Sequence, residues 1–216
     1  MAEKRRGRRG GGRAARQAAR SEAATETRAY LTRTMFPVEL VSEEGLAVIE
    51  ETADTILAEI GIDFREYPSA LALLADAGAE VDGERVRFPR GMCRRIVQDS
   101  APATYVQHGR NPARSVQVGG DATVLVPAYG SPFVHDLDDG RRYATIEDFR
   151  NFVKLAYLHP GLHHSGGTVV EPVDIPVSKR HLDMVYSHLK YSDKPFMGSV
   201  TSAERARDSI ELAGFV

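Results

Sequence analysis

The feature that most limits how this chain can fold is a change of hydrophobic period along it. Before about residue 102 apolar residues recur at helical spacing. From residue 103 they alternate, and from Thr145 onward the two patterns take turns. Thr145 can cap a helix carrying Ile146, Phe149, Phe152, Val153 and Ala156. The stretch Gly161 to Pro172, GLHHSGGTVVEP, then reads as a strand. Val177, Leu182, Val185, Tyr186 and Leu189 mark a further helix, and Lys194 to Val200 a further strand. Thr201 and Glu204 form a capping box for a last helix through Ile210 and Leu212. Ahead of them all, Thr123 to Val126 is a continuous apolar run, as expected of a strand buried on both faces. Strands and helices in strict alternation imply right-handed crossovers and a parallel sheet.

The pattern is still helical at Val216, with neither a C-cap nor a polar tail. A closed (β/α)8 barrel takes roughly 250 residues. The expected fold is therefore α/β: a partial (β/α)8 TIM barrel, preceded by an N-terminal helical region and β-hairpins, ending after about three βα units. On this reading the chain is an N-terminal fragment, and an unclosed sheet would leave an edge strand unpaired.

The upstream segments support three regions: 1–28, 29–102 and 103–216. Residues 1–28 crowd Lys4, Arg5, Arg6, Arg8, Arg9, Arg13, Arg16 and Arg20 among Gly and Ala, which predicts a disordered basic tail. In the second region Ser42 can cap a helix, with Glu43 and Glu44 at its positive end and Val41 stapled to Leu46. That helix runs through Ile60 to Gly61. Pro68 opens another, stopped at Gly78, and Pro89 a third. Asp82-Gly83 and Asp138-Asp139-Gly140 read as hairpin turns.

Composition narrows the classes. With 216 residues and 42% hydrophobic content the chain can bury a core. The formal net charge of -2 argues against nucleic-acid binding by the molecule as a whole. A basic arm at residues 4–20 is the alternative, with salt-sensitive binding as its signature. The lone Cys93 excludes an internal disulfide or cysteine-based zinc site and fits a small packed hydrophobe. No run approaches the roughly 18 apolar residues of a membrane span, and no apolar stretch follows the basic start as a secretory signal requires. A cytoplasmic protein is expected.

Several segments taken together are specific. They are Asn111 to Val116 (NPARSV), Pro127 to Phe133 (PAYGSPF), Thr145 to Phe152 (TIEDFRNF), His163 to Pro176 (HHSGGTVVEPVDIP), Lys179 to Met184 (KRHLDM) and Phe196 to Thr201 (FMGSVT). In this order they resemble the trimethylamine methyltransferase family of corrinoid methyltransferases, over nearly the whole chain from about residue 7. The resemblance implies a TIM barrel. It also implies transfer of a methyl group from a tertiary or quaternary amine, such as trimethylamine or glycine betaine, to the cobalt of a separate corrinoid protein. Some family members carry pyrrolysine in the later part of the barrel, beyond this sequence, so the key catalytic position is not carried over. The full-length protein is expected to be a homo-oligomer.

A methylated ammonium is commonly held by aromatic faces and a carboxylate, and barrel active sites lie at the C-terminal ends of strands. Tyr129, Glu171, Ser199 and Thr201 fall just after the expected strands and are the candidate substrate-binding residues. Phe133 and Tyr157 read as core. If the second strand runs from the histidines toward Glu171, then His163 and His164 sit at its stability end. If it stops at Gly166-Gly167, His164 becomes the alternate candidate. Metal binding has little support: His181 and His188 are too far apart for a His-Glu-x-x-His motif and read as helix surface. Each of His163 and His164 lacks the preceding Asp of the cobalt-ligating Asp-x-His-x-x-Gly motif. The corrinoid is thus expected on the partner, with no cofactor bound directly.

Overall fold

A computed structural model describes residues 30–36 and 38–216. The segment predicted as a basic tail lies outside the described residues. The chain divides into two compact units, one spanning Met35–Ala103 and one combining the residues up to Thr34 with Thr104–Val216.

The chain enters the larger unit first, through strand β1 (Leu31–Thr32), before forming the smaller one. There Ser42 caps α1 (Glu43–Thr55), its hydroxyl accepting from the Gly45 N–H at 3.2 Å. The helix widens into a π-helical turn at Ile56–Ile60 and stops at Gly61. Gly61 has φ 75°, and a Cβ there would run into the Val86 carbonyl, so only glycine fits. Next come β2 (Ile62–Asp63), α2 (Pro68–Asp76), β3 (Glu80–Asp82) and β4 (Arg85–Arg87). The Asp82-Gly83 turn forms as expected, and β4 pairs antiparallel with both β2 and β3. The third helix, α3 (Met92–Ser100), starts later than Pro89, because Gly91 takes a left-handed cap conformation. Ala79, Val86, Phe88 and Met92 make this unit's core, with half-buried Cys93 against it.

In the larger unit β5 (Thr104–Gln107), β6 (Val116–Gly119) and β7 (Ala122–Thr123) join β1 in an antiparallel sheet of order β1-β7-β6-β5. The second hairpin follows, β8 (Phe133–Asp136) and β9 (Gly140–Tyr143). Three helices complete the unit: α4 (Ile146–Leu158), α5 (Arg180–Tyr191) and α6 (Ala203–Ala213). Helix α5 contacts both α4 and α6. Thr145 caps α4 in a reciprocal box with Asp148. The cap of α6 is Ser202, not Thr201: its hydroxyl accepts from the Arg205 N–H at 3.3 Å. A register one residue later leaves the Thr201 hydroxyl free to accept from Arg205 Nη1 instead.

The expected parallel strands differ more. Extended segments run side by side without forming regular ladders. His163 N–H donates to Leu125 O (3.0 Å), Ser165 N–H to Pro195 O (2.9 Å) and Met197 N–H to Gly166 O (2.9 Å). Partner numbers rise together, so the segments are parallel. Leu125 and Val126 are 42% and 43% exposed, so the run expected to be buried on both faces is only partly covered. The β-branched run Thr168 to Val170 is not a strand either. Gly166, at φ 100°, ends the extended segment, and the chain bends through the following residues. Val169 and Val170 instead pack into the core with Val134, Ala144, Phe149, Val153 and Met184. The described residues contain no closed barrel; the architecture they show is mixed α/β.

Two further expectations change. His181 and His188, read as helix surface, are buried, 3% and 2% exposed. His188 lies between Phe149, edge-on at 5.3 Å, and Phe196, stacked at 5.1 Å.

Candidate functional site

The loops after the extended segments are stitched to one another. Gly130 N–H donates to Thr168 O and Glu171 N–H to Ser131 O, both at 2.8 Å. These bonds hold the Tyr129–Ser131 loop against the Thr168–Glu171 loop. Around them opens a cavity of about 300 Å³ that is lined by Gly130, Thr168, Glu171, Val177, Arg180, His181, Met184, Ser199, Thr201 and Arg205. Three of the candidate residues, Glu171, Ser199 and Thr201, therefore meet at one cavity.

The other two candidates lie outside its lining. Tyr129 is 43% exposed, its hydroxyl 3.8 Å from the Met197 sulfur, and partial burial pushes its phenol up. His164 is 1% exposed. Its Nδ1 accepts from the Gly166 N–H at 2.9 Å, and its Nε2 has no hydrogen-bond partner. Burial, and then the neighbouring His188, push the His164 pKa down to about 4, so the ring is neutral at pH 7. His163, 3% exposed, accepts through Nδ1 from the Leu125 N–H at 2.8 Å. With the extended segment ending at Gly166, the histidines stand near its end, but as buried rings that brace backbone. Neither presents a surface imidazole. Among the described residues no three His, Cys, Asp or Glu side chains gather as a metal site, and no helix is long and apolar enough to cross a membrane.

Beside Glu171, the charges of the cavity come from two arginines that the sequence reading did not weigh as site residues. Arg180 Nη1 donates to Glu171 Oε1, and its Nη2 to Ile175 O at 3.3 Å. Arg205 donates to Thr201 Oγ1 at 2.8 Å and to Val177 O at 2.9 Å. His181 Nε2 lies 2.7 Å from Asp208 Oδ2, which ties α5 to α6. A signal existed in the sequence. Arg180 opens α5 and Arg205 lies in the first turn of α6, where a cation runs against the helix dipole. A residue placed against its local preference is a hint of function.

Supporting contacts fix this frame from behind. Lys194 is 3% exposed, and its Nζ donates to the carbonyls of Ala156 (2.8 Å), His159 (3.0 Å) and Leu162 (2.7 Å). It thus satisfies the C-terminal end of α4 and the turn beyond it, where a cation is favoured. Burial, and then Arg114, push its pKa down to about 8. Arg114 is itself buried, paired with Asp193 at 3.0 Å and lying 4.8 Å over the Tyr157 ring.

Comparison with known proteins places the chain in a family. The profile described as "Trimethylamine methyltransferase (MTTB)" matches residues 9–216. The chain belongs to the trimethylamine methyltransferase family. A glycine betaine methyltransferase of Desulfitobacterium hafniense (strain Y51) is 45% identical over 177 residues, covering 82% of this chain and 36% of that protein. A proline betaine:corrinoid methyltransferase of Eubacterium limosum is 25% identical over 181 residues, again 82% and 36%. An L-carnitine:corrinoid methyltransferase of the same organism is 25% identical over 159 residues, 71% and 31%. The chain thus spans about a third of the length of these curated relatives.

Proposed function

We propose that this chain is part of an enzyme that moves a methyl group from a methylated amine to the cobalt of a separate corrinoid protein. The amine is trimethylamine, glycine betaine or a similar tertiary or quaternary amine. The observation that carries the reading is the 45% identity to a glycine betaine methyltransferase over most of the chain. The parallel extended segments with their helices are the first part of a (β/α)8 barrel. The cavity lies among the loops that follow those segments, where such barrels place their chemistry.

The corrinoid, bound to its partner, supplies the reduced cobalt nucleophile. The residues of this chain hold the amine. As the carbon–nitrogen bond breaks, its electron pair stays on nitrogen and the amine leaves neutral. An unpaired carboxylate against the ammonium would hold the starting cation more tightly than the transition state and so slow the step. Aromatic faces and polarisable groups bind the cation with less of that penalty. This ranks Tyr129, with Met197 beside it, ahead of Glu171 as the ammonium contact, because the Glu171 carboxylate is already paired with Arg180. Ser199 and Thr201 line the same space and orient the donor. His164 supports the Gly166 turn beneath it.

The test is turnover. The protein containing this chain, supplied with a reduced corrinoid protein and glycine betaine, is expected to release dimethylglycine only when both are present. Absence of demethylation with any tertiary or quaternary methylamine rejects the reading.

A further inference from the structure

Two charged groups in the cavity are spent on each other. Arg180 Nη1 donates to Glu171 Oε1, while Arg205, the other cation of the lining, is tied to Thr201 and Val177. Arg180 is therefore the cation set against the Glu171 carboxylate. Glu171 is also fixed through its backbone: its N–H donates to Ser131 O at 2.8 Å, which holds it beside the loop carrying Tyr129. The Glu171 side chain is 46% exposed and that of Arg180 only 14%. The carboxylate thus stays open to the cavity, while the arginine that neutralises it is mostly covered. Neither helix preference nor hydrogen bonding accounts for an arginine here. Arg180 opens α5, at the end where the dipole disfavours a cation. Its buried Nε has no hydrogen-bond partner, although buried polar atoms are as a rule satisfied.

We propose that Arg180 is a positioning residue for methyl transfer: it cancels the Glu171 charge, so that the carboxylate does not grip the methylammonium before its carbon–nitrogen bond breaks. The inference rests on the methyl-transfer reading. The donor enters as a cation. When the bond breaks, its electron pair stays on nitrogen and the methyl carbon passes to the partner's reduced cobalt, so the donor loses its charge. A bare carboxylate beside it would stabilise the starting cation more than the transition state and slow the step. An opposite charge in hydrogen-bond contact removes most of that attraction. What remains is a dipole with its negative end open to the cavity. It still orients a cation, but holds it far less tightly than a full charge does.

Two variants with opposite expectations test this in the protein containing this chain. Binding of tetramethylammonium, a bare cation, is read by calorimetry. Chemistry is read as the single-turnover rate with saturating glycine betaine and reduced corrinoid protein. Arg180→Gln keeps an amide donor at this position but loses the charge. It should tighten tetramethylammonium roughly 3- to 10-fold and slow the single turnover by a similar factor. Arg180→Lys keeps the charge and should recover part of both changes. Glu171→Gln leaves the guanidinium unopposed, so it should weaken tetramethylammonium and speed the single turnover at saturation. A merely structural pair gives weaker binding and a slower rate in both variants, and that pattern overturns the proposal. Unchanged binding in Arg180→Gln overturns it too. Should Arg180→Gln fail to fold, Glu171→Gln decides alone, and a turnover that is not faster rejects the proposal. The methyl-transfer reading is judged separately, by whether the unvaried protein demethylates at all.

Discussion

His164 and His188 are buried as neutral rings, and their chemistry sets a limit on the acid side. His188 Nε2 faces the Gly167 carbonyl at 2.9 Å and can only donate there, so Nδ1 accepts from the Ser165 hydroxyl at 3.0 Å. Burial pushes the His188 pKa down to about 4, against the opposing pull of the Gly167 carbonyl. His164 falls to about 4 as well. Unfolded histidine titrates near 6.5, so between those values the unfolded chain binds more protons than the folded one. Stability is therefore fully present above pH 6.5 and falls as pH drops toward 4. The loss is at most ~3 kcal/mol per ring and is not additive, because the two rings interact. His164→Asn removes one titration, while its side-chain oxygen can still accept from Gly166. Urea unfolding at pH 7 and pH 4.5 should show a smaller drop for this variant than for the wild type. Equal drops would show that His164 does not titrate in this way. The burial of His188 was not legible in the sequence, since a histidine on a helix looks alike whether it faces water or, as here, Phe149 and Phe196.

At the scale of elements, legibility follows the distance over which the cause acts. Caps and hairpin turns depend on residues within a few positions, and Ser42, Thr145, Asp82-Gly83 and Asp138-Asp139-Gly140 form as the sequence implies. The parallel segments depend on partners some 30 to 40 residues away, and their register was not readable. The β-branched Val169 and Val170 looked like a strand because they are apolar, but their apolar surface goes to helix packing. Between these extremes stands Asp148. It completes the Thr145 capping box and also accepts from Arg142 at 2.7 and 2.9 Å, which ties β9 to the start of α4. The Arg142 guanidinium, more than any other neighbour, holds its carboxyl well below the usual carboxylate range. Asp148→Ala should destabilise the chain by about 1–2 kcal/mol, read from the shift in urea midpoint at pH 7. The sign with pH follows from the lowered value: the stabilisation is present above about pH 4 and fades as acid protonates the carboxylate. A variant that lost nothing at pH 7 would show that Arg142 and the cap are mutually dispensable.

At the scale of the molecule, what stands out is apolar surface left uncovered. On α4, Phe152, Leu155 and Leu158 are 40%, 61% and 54% exposed. Phe152 and Leu155 border a cavity of about 350 Å³ whose other walls include Pro127, Ala128, Leu162 and Val169. Near the end of the chain Ile210 and Phe215 are 72% and 78% exposed. Single exposed apolar residues are ordinary, but a contiguous group beside a pocket is the mark of a surface meant to be covered. Any cover would remove about 25 cal/mol of unfavourable hydration per Å², enough for copies of the chain to cover one another when nothing else does. Sedimentation velocity at about 0.1 mM should accordingly show species larger than a monomer. Exchanging Phe152 and Leu155 together for serine should shift the distribution toward monomer without changing the helical circular dichroism, since neither side chain is buried in the fold. High salt should strengthen the association, because hydrophobic burial is favoured there while ion pairs are screened. If the chain stays monomeric at that concentration, or the double variant associates as before, the α4 face is not the adhesive surface, and the expectation that the full-length protein is a homo-oligomer loses its support from this part of the molecule.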